Sequence, residues 1–248
     1  MEVVSMVVTG QGADRGEARG KDDDRGADRD TEAGAVRGVR GLADGRSAVR
    51  LRAALEAGTA PDPRFVGGLV ERCAVEPDFF VRDMLTWALT RHPVSLTLPA
   101  LVRELGSERP QARSQALHTL SKIGDPRAWP AITPALLRDA EDEVARSAWR
   151  AAVVLVPEGG KPALAEALAT RLGHGGRETR LSLSRALVAL GEAVLPALRA
   201  AGAAADPRVR VHALATQELL RDPDSGFESA IEEAKRVVAL GVSGQEGP

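Results

Sequence analysis

The side chains that could do chemistry in this 248-residue chain are few and scattered. They are four histidines (His92, His118, His174 and His212), one cysteine (Cys73) and three tryptophans. A metal centre needs several imidazoles, thiolates or carboxylates at one point, most simply two histidines four apart on a helix. No His pair here has that spacing, His92 precedes a proline, and His174 lies in Gly-His-Gly-Gly. A single cysteine makes neither an intramolecular disulfide nor a zinc cluster. Cys73 sits among Leu69, Val70 and Val75, which reads as a buried, inert thiol. There is no Gly-x-Ser-x-Gly elbow and no phosphate loop ending in Lys-Ser/Thr. The residues therefore assign no catalytic group, no metal and no cofactor, and a non-enzyme is expected.

The elements that would position these residues are helices. RSAVRLRAALEAG, FVGGLVERCAV and FVRDMLTWALTRH place apolar residues three and four apart. Breaks at GTAPDP, EPD, HP, GSERP, GDP and later turns keep the helices short, roughly twelve in all. The helices repeat. VRDMLTWAL, ARSQALHTL, ARSAWRAAV, TRLSLSRAL and VRVHALATQ align on Arg82, Arg113, Arg146, Arg180 and Arg210, at intervals of 31, 33, 34 and 30 residues. Pro99, Pro130, Pro162 and Pro196 form a second register at intervals of 31, 32 and 34. Two independent landmarks with one period indicate a repeat array. Proline suits the first turn of a helix, where its missing N–H costs nothing.

GDPRAWPAI, followed by an acidic turn and a helix of the form x-Arg-x-x-Ala-x-x-Ala-Leu, resembles the HEAT repeat, in particular the bacterial subclass named after phycobilisome lyases. The resemblance covers about residues 78–220. Residues 46–77 read as a degenerate first repeat and Phe227–Leu240 as a closing helix. It implies an all-α, right-handed superhelical solenoid of five to six helical hairpins over 46–241. A disordered tail over 1–45 and a flexible end over 242–248 complete the expected organisation. HEAT-like hydroxylases hold iron with His-Glu pairs; none of the four histidines here precedes Glu. Bilin attachment is implied by the subclass name alone.

Counting along each second helix from its Arg, positions −1, +3, +6 and +7 are mostly apolar and face the core. The Arg itself follows an acid by about four residues, as in Asp78–Arg82, Asp142–Arg146 and Asp206–Arg210, and reads as structural. Positions +2, +5 and +9 lie opposite. By the resemblance they line the concave surface. The +5 row is Trp87, His118, Ala151, Arg185 and Ala215, and the +2 row runs from Met84 through Gln115, Ala148 and Ser182 to His212. The candidate partner-binding residues are thus Trp87, Arg91, Gln115, His118, Lys122, Ser182, Arg185 and His212. Trp129 and Trp149 read as packing residues.

The expected function is a non-catalytic scaffold that grips an unidentified protein partner. The alternative is nucleic-acid binding, as in HEAT-like DNA glycosylases, with Trp87, Asp83, Arg91, Lys122, Arg150 and Arg185 forming a groove. Charge disfavours it. The chain is net −2, and residues 46–221 carry only 24 basic against 19 acidic side chains. No apolar run reaches the ~18 residues of a membrane span, so a cytoplasmic protein is expected. Arg outnumbers Lys 29 to 4, and Tyr is absent, a codon bias that points to a high-GC bacterium.

Overall fold

The computed structural model describes residues 40–243, with side chains through Leu240. From Ser47 onward it comprises α1 (Ser47–Thr59), α2 (Phe65–Cys73), α3 (Phe79–Arg91), α4 (Val94–Glu104), α5 (Pro110–Ile123), α6 (Pro134–Leu137), α7 (Asp142–Leu155), α8 (Lys161–Ala169), α9 (Arg177–Val188), α10 (Leu195–Gly202), α11 (Pro207–Arg221) and α12 (Phe227–Ser243). Short 3-10 turns at Pro126–Ala131, Glu158–Gly160 and Gly191–Val194 precede α6, α8 and α10. The odd-numbered helices stack on one another in chain order, and the even-numbered ones from α2 to α10 form a second layer behind them. No single described helix is long and apolar enough to cross a membrane.

One core runs from Leu42 to Ala213 and is built mainly of Ala, Leu and Val. Fully buried leucines such as Leu85, Leu120 and Leu187 each contribute about 2 kcal/mol on this count. The many alanines between them let the helices approach closely. Trp149 is the largest buried side chain, and its indole N–H donates to the Leu137 carbonyl at 2.9 Å. Trp129 is half-buried against the same core.

The stacking helices share a start signal. Their N-caps are Arg46, Asp78, Arg109, Glu141, Gly176 and Asp206. Four residues later stand Arg50, Arg82, Arg113, Ala145, Arg180 and Arg210. In four of them the guanidinium Nη1 reaches back over its own helix start. Arg50 donates to the carbonyls of Asp44 and Gly45, Arg82 to Glu76 and Pro77, Arg113 to Ser107 and Glu108, and Arg210 to Ala204 and Ala205, at 2.8–3.3 Å. Each arginine staples the turn that feeds its helix. Two of them also bridge forward to the next turn: Arg50 to Glu76 and Arg113 to Asp139, each through two bonds of 2.7–3.1 Å.

This register corrects the sequence alignment at two places. Arg50, 32 residues before Arg82, belongs to the series and makes the first repeat regular in its second helix. In α7 the equivalent position is Ala145, so Arg146 lies one residue out of register. It pairs with Glu143 at 3.1 Å instead of stapling its turn. The burial pattern agrees. Ala148, Trp149, Ala151 and Ala152 are all buried, which matches the core stripe of α3 and α9 only when the count starts at Ala145.

The prolines also divide. Pro162 and Pro196 occupy the first turns of α8 and α10 as expected. Pro99 lies inside α4, because that helix begins earlier, directly after Pro93. Pro130 lies within a 3-10 turn, whose geometry does not require its missing N–H, and Pro134 starts α6 instead. The expected tail over 1–45 lies outside the described residues up to 39. Residues 40–42 form a helical turn, and Leu42 is part of the core, so the packed array begins before Arg46. At the other end α12 continues to Ser243, beyond the expected boundary at 241. Residues 244–248 lie outside the described residues.

Candidate partner-binding cleft

The corrected register places Arg150 at +5 and Ser147 at +2 of α7, where the sequence reading has the buried Ala151 and Ala148. The +5 row therefore reads Trp87, His118, Arg150, Arg185 and Ala215. Three successive helices then share a cleft of about 240 Å³. From α3 it takes Phe79, Arg82, Asp83 and Thr86; from α5, Gln115, His118 and Lys122; from α7, Glu143, Ser147 and Arg150.

The cleft is rich in unpaired cations. Among the described residues, neither Arg82, Lys122 nor Arg150 forms an ion pair with a carboxylate. Arg82 holds two backbone carbonyls with Nη1, and its Cζ lies 5.9 Å from the centre of the Phe79 ring. Arg150 donates to Ser147 Oγ at 2.9 Å. Surrounding protein lowers its pKa from the ordinary guanidinium value, and it still carries its charge at any physiological pH. Of the two acids, Glu143 is bonded to Arg146, and the Asp83 carboxylate has no hydrogen bond or ion pair among the described residues. Burial, followed by the charges of Arg150 and Lys122, pushes the His118 imidazole below its usual value against the opposing pull of Asp83 and Glu143. His118 is therefore a neutral wall of the cleft at pH 7.

Phe79 lines the cleft, and Phe80 stands beside it. They are 65% and 74% exposed and meet edge to face with ring centres 5.7 Å apart. They follow the N-cap Asp78, whose carboxylate accepts from the N–H groups of Phe80 and Val81. Both stand on the first turn of α3 and outside its core stripe. The sequence signal was available: two of the four phenylalanines sit side by side at a helix start, where burial does not require them.

The eight candidates separate into groups. Gln115, His118 and Lys122 come together in the cleft. Trp87 does not join them; its ring lies over Gly58 of α1, leaving it 38% exposed. Arg91 is exposed at the far end of α3, and Ser182 is half-buried on α9. Arg185 lines a second, larger groove with Leu181, Leu219 and Phe227, where the turn before α12 folds over α9. In that groove Arg177 is bonded to Glu228, and also to Glu178 beside it.

His212 is not on the surface. It is 1% exposed, and each ring nitrogen is engaged. Nδ1 accepts from the Gly173 N–H at 3.0 Å, so the ring proton is on Nε2. Nε2 donates to the Arg180 carbonyl at 3.1 Å and lies 3.0 Å from Ser184 Oγ. Thr216 Oγ1 donates to the His212 carbonyl, which leaves Ser184 to donate to Thr216 at 2.8 Å. Burial pushes the imidazole down to about 4 despite the opposing bond to the Arg180 carbonyl. The ring is a neutral tie between α9, α11 and the loop at Gly173. His92 is likewise buried, with Nδ1 2.8 Å from the Ala88 carbonyl and Nε2 3.2 Å from that of Asp62. Among the described residues no three His, Cys, Asp or Glu side chains converge as metal ligands would.

Residues 69–153 match the family model for HEAT repeats. No curated protein matches the chain. Solved structures similar to it include an engineered protein, with 18% identity, a TM-score of 0.43, and 77% of this chain and 99% of that one covered. Human deoxyhypusine hydroxylase, solved with glycerol, has 20% identity and a TM-score of 0.44, covering 88% and 99%. The complex of CpcE and CpcF of phycocyanin lyase from Nostoc sp. PCC7120 has 17% identity and a TM-score of 0.37, covering 81% and 93%. None of the three lends its activity to this chain.

Proposed function

We propose that this chain, whose residues 69–153 match the HEAT-repeat model, is a non-catalytic scaffold whose α3–α5–α7 cleft binds a protein partner. The observation that supports this reading is the convergence, from successive helices, of three cations without ion pairs among the described residues, beside the exposed Phe79. Aromatic and arginine side chains are the usual anchors of protein interfaces, and a polar rim around them is typical. The cleft pairs no nucleophile with a base: Ser147 accepts from Arg150, and the His118 imidazole has no hydrogen bond among the described residues.

Affinity capture with the full chain tests the proposal. A protein retained by the wild type, lost with the double variant Phe79→Ala/Arg150→Ala and kept by the outer-layer variant Arg138→Ala supports it. Capture that ignores the cleft variants overturns it. A salt-sensitive shift of duplex DNA, abolished by Arg150→Ala, would favour the nucleic-acid reading instead.

A further inference from the structure

Resting on that reading, we infer that the cleft accepts an acidic peptide segment, one carboxylate side chain seated between Arg82, Lys122 and Arg150 and a neighbouring apolar side chain set on Phe79 and Phe80. At ~30 Å³ per water the cleft has room for about eight waters, which is one or two side-chain ends and not a folded surface. Its cations hold many free donors. Among the described residues the Lys122 ammonium makes no hydrogen bond or ion pair, Arg82 commits only Nη1, and Arg150 commits only Nη2. The carboxylates that face them are Asp83, with no hydrogen bond or ion pair among the described residues, and Glu143, which is tied to Arg146. Three cations face two carboxylates here, and an entering carboxylate balances the remaining positive charge while forming charge-assisted hydrogen bonds. Phe79 adds apolar area beside this charge, and its ring meets that of Phe80 edge to face.

Charge also says what does not fit well. Asp83 and Glu143 stand on opposite walls, and Asp224 and Glu228 lie in the groove at the α12 end. The positive charge is a spot, not a strip that could follow a phosphate backbone.

The test is fluorescence anisotropy with the full chain and a labelled, acetyl- and amide-capped peptide, Glu-Asp-Glu-Leu-Phe-Glu-Asp-Glu. Its counterpart with Gln and Asn in place of every acid, and a neutral peptide with a free C-terminal carboxylate, serve as the other arms. The capped acidic peptide is expected to bind at least ~10-fold more tightly than either, and the binding to weaken with salt. Arg150→Gln and Lys122→Gln should each weaken it about 5-fold, while Arg138→Gln leaves it unchanged. Because these positions are at the surface, circular dichroism should show all three variants folded. A matching rise in the His118 pKa on peptide addition, read by NMR, would place the carboxylate beside it. Equal binding of the acidic and neutral capped peptides, or no effect of Arg150→Gln, overturns the inference. If the neutral capped peptide binds and Phe79→Ala releases it, the scaffold reading stands and only the acidic assignment falls.

Discussion

The Arg50 guanidinium holds the Glu76 carboxylate through two bonds of 2.7 Å, Nε to Oε2 and Nη2 to Oε1, with Glu76 wholly excluded from solvent. Arg72 adds a third bond at 2.6 Å, and the Asp78 N–H a fourth at 2.9 Å. One carboxylate thereby joins α1, α2 and the start of α3. Burial alone would raise its pKa, but the bonds from Arg50, the Asp78 backbone and Arg72 outweigh it and hold the carboxyl at about 2.

Removing that carboxylate leaves Arg50, itself 5% exposed, without its counter-ion. Glu76→Ala is expected to cost about 3–5 kcal/mol, and Asp139→Ala, at the more open Arg113 pair, about 1–2 kcal/mol. Chemical denaturation midpoints check both. Equal losses at the two sites would refute the difference assigned to burial.

Acid should act on the fold in two stages. The folded chain keeps His212 neutral down to about 4, whereas the unfolded chain takes up that proton near 6.5. Stability present above pH 6.5 is therefore lost as pH falls toward 4, by roughly 3 kcal/mol for this group. Glu76 extends the loss from its ordinary value of 4.5 down to about 2. Denaturation of His212→Gln across pH 4–7 should show a flatter slope than the wild type, and an unchanged slope would remove His212 as the cause.

Two glycine substitutions should have opposite signs. A Cβ on Gly58 would run into the Trp87 ring and come within 3.0 Å of the Ala88 Cα. Gly58→Ala is expected to destabilise by about 1–3 kcal/mol, although alanine is the better helix former. Gly67, in α2, has open space around its Cβ position, and Gly67→Ala should stabilise by about 0.5–1 kcal/mol. Thermal melts of the pair decide it.

Cys73 should serve as a clean probe of unfolding. Burial pushes its thiol up to about 12. A thiol reagent at pH 8 is expected to leave it untouched in the native chain and label it fully in denaturant. Rapid native labelling would show that α2 opens locally.

Much of this architecture was legible because its signals are redundant. The period appears in core alanines and leucines, in N-cap acids and in arginines that staple their own turns. The phase of α7 was not legible. ARSAWRAAV offers Arg146 and a run of small residues on either candidate face, so hydrophobicity could not choose between Arg146 and Ala145. That single step kept Arg150 out of the partner-binding row, although the nucleic-acid alternative included it. His212 deceived for a different reason: a polar residue on an exposed-looking row becomes buried where α12 folds over α11, a tertiary contact that no local pattern encodes. Trp87 was found, but its neighbour Gly58 is 29 residues away and draws it toward α1.

A stack of identical units has no intrinsic reason to stop, since each free apolar side would accept another unit. Here α12 occupies that side. Phe227, Ala230, Ile231 and Ala234 cover Ala215 and the half-buried Leu181, Val211, Leu214 and Leu219. The helix thus shields the apolar side of α9 and α11 from water, and shortening it should uncover a sticky edge.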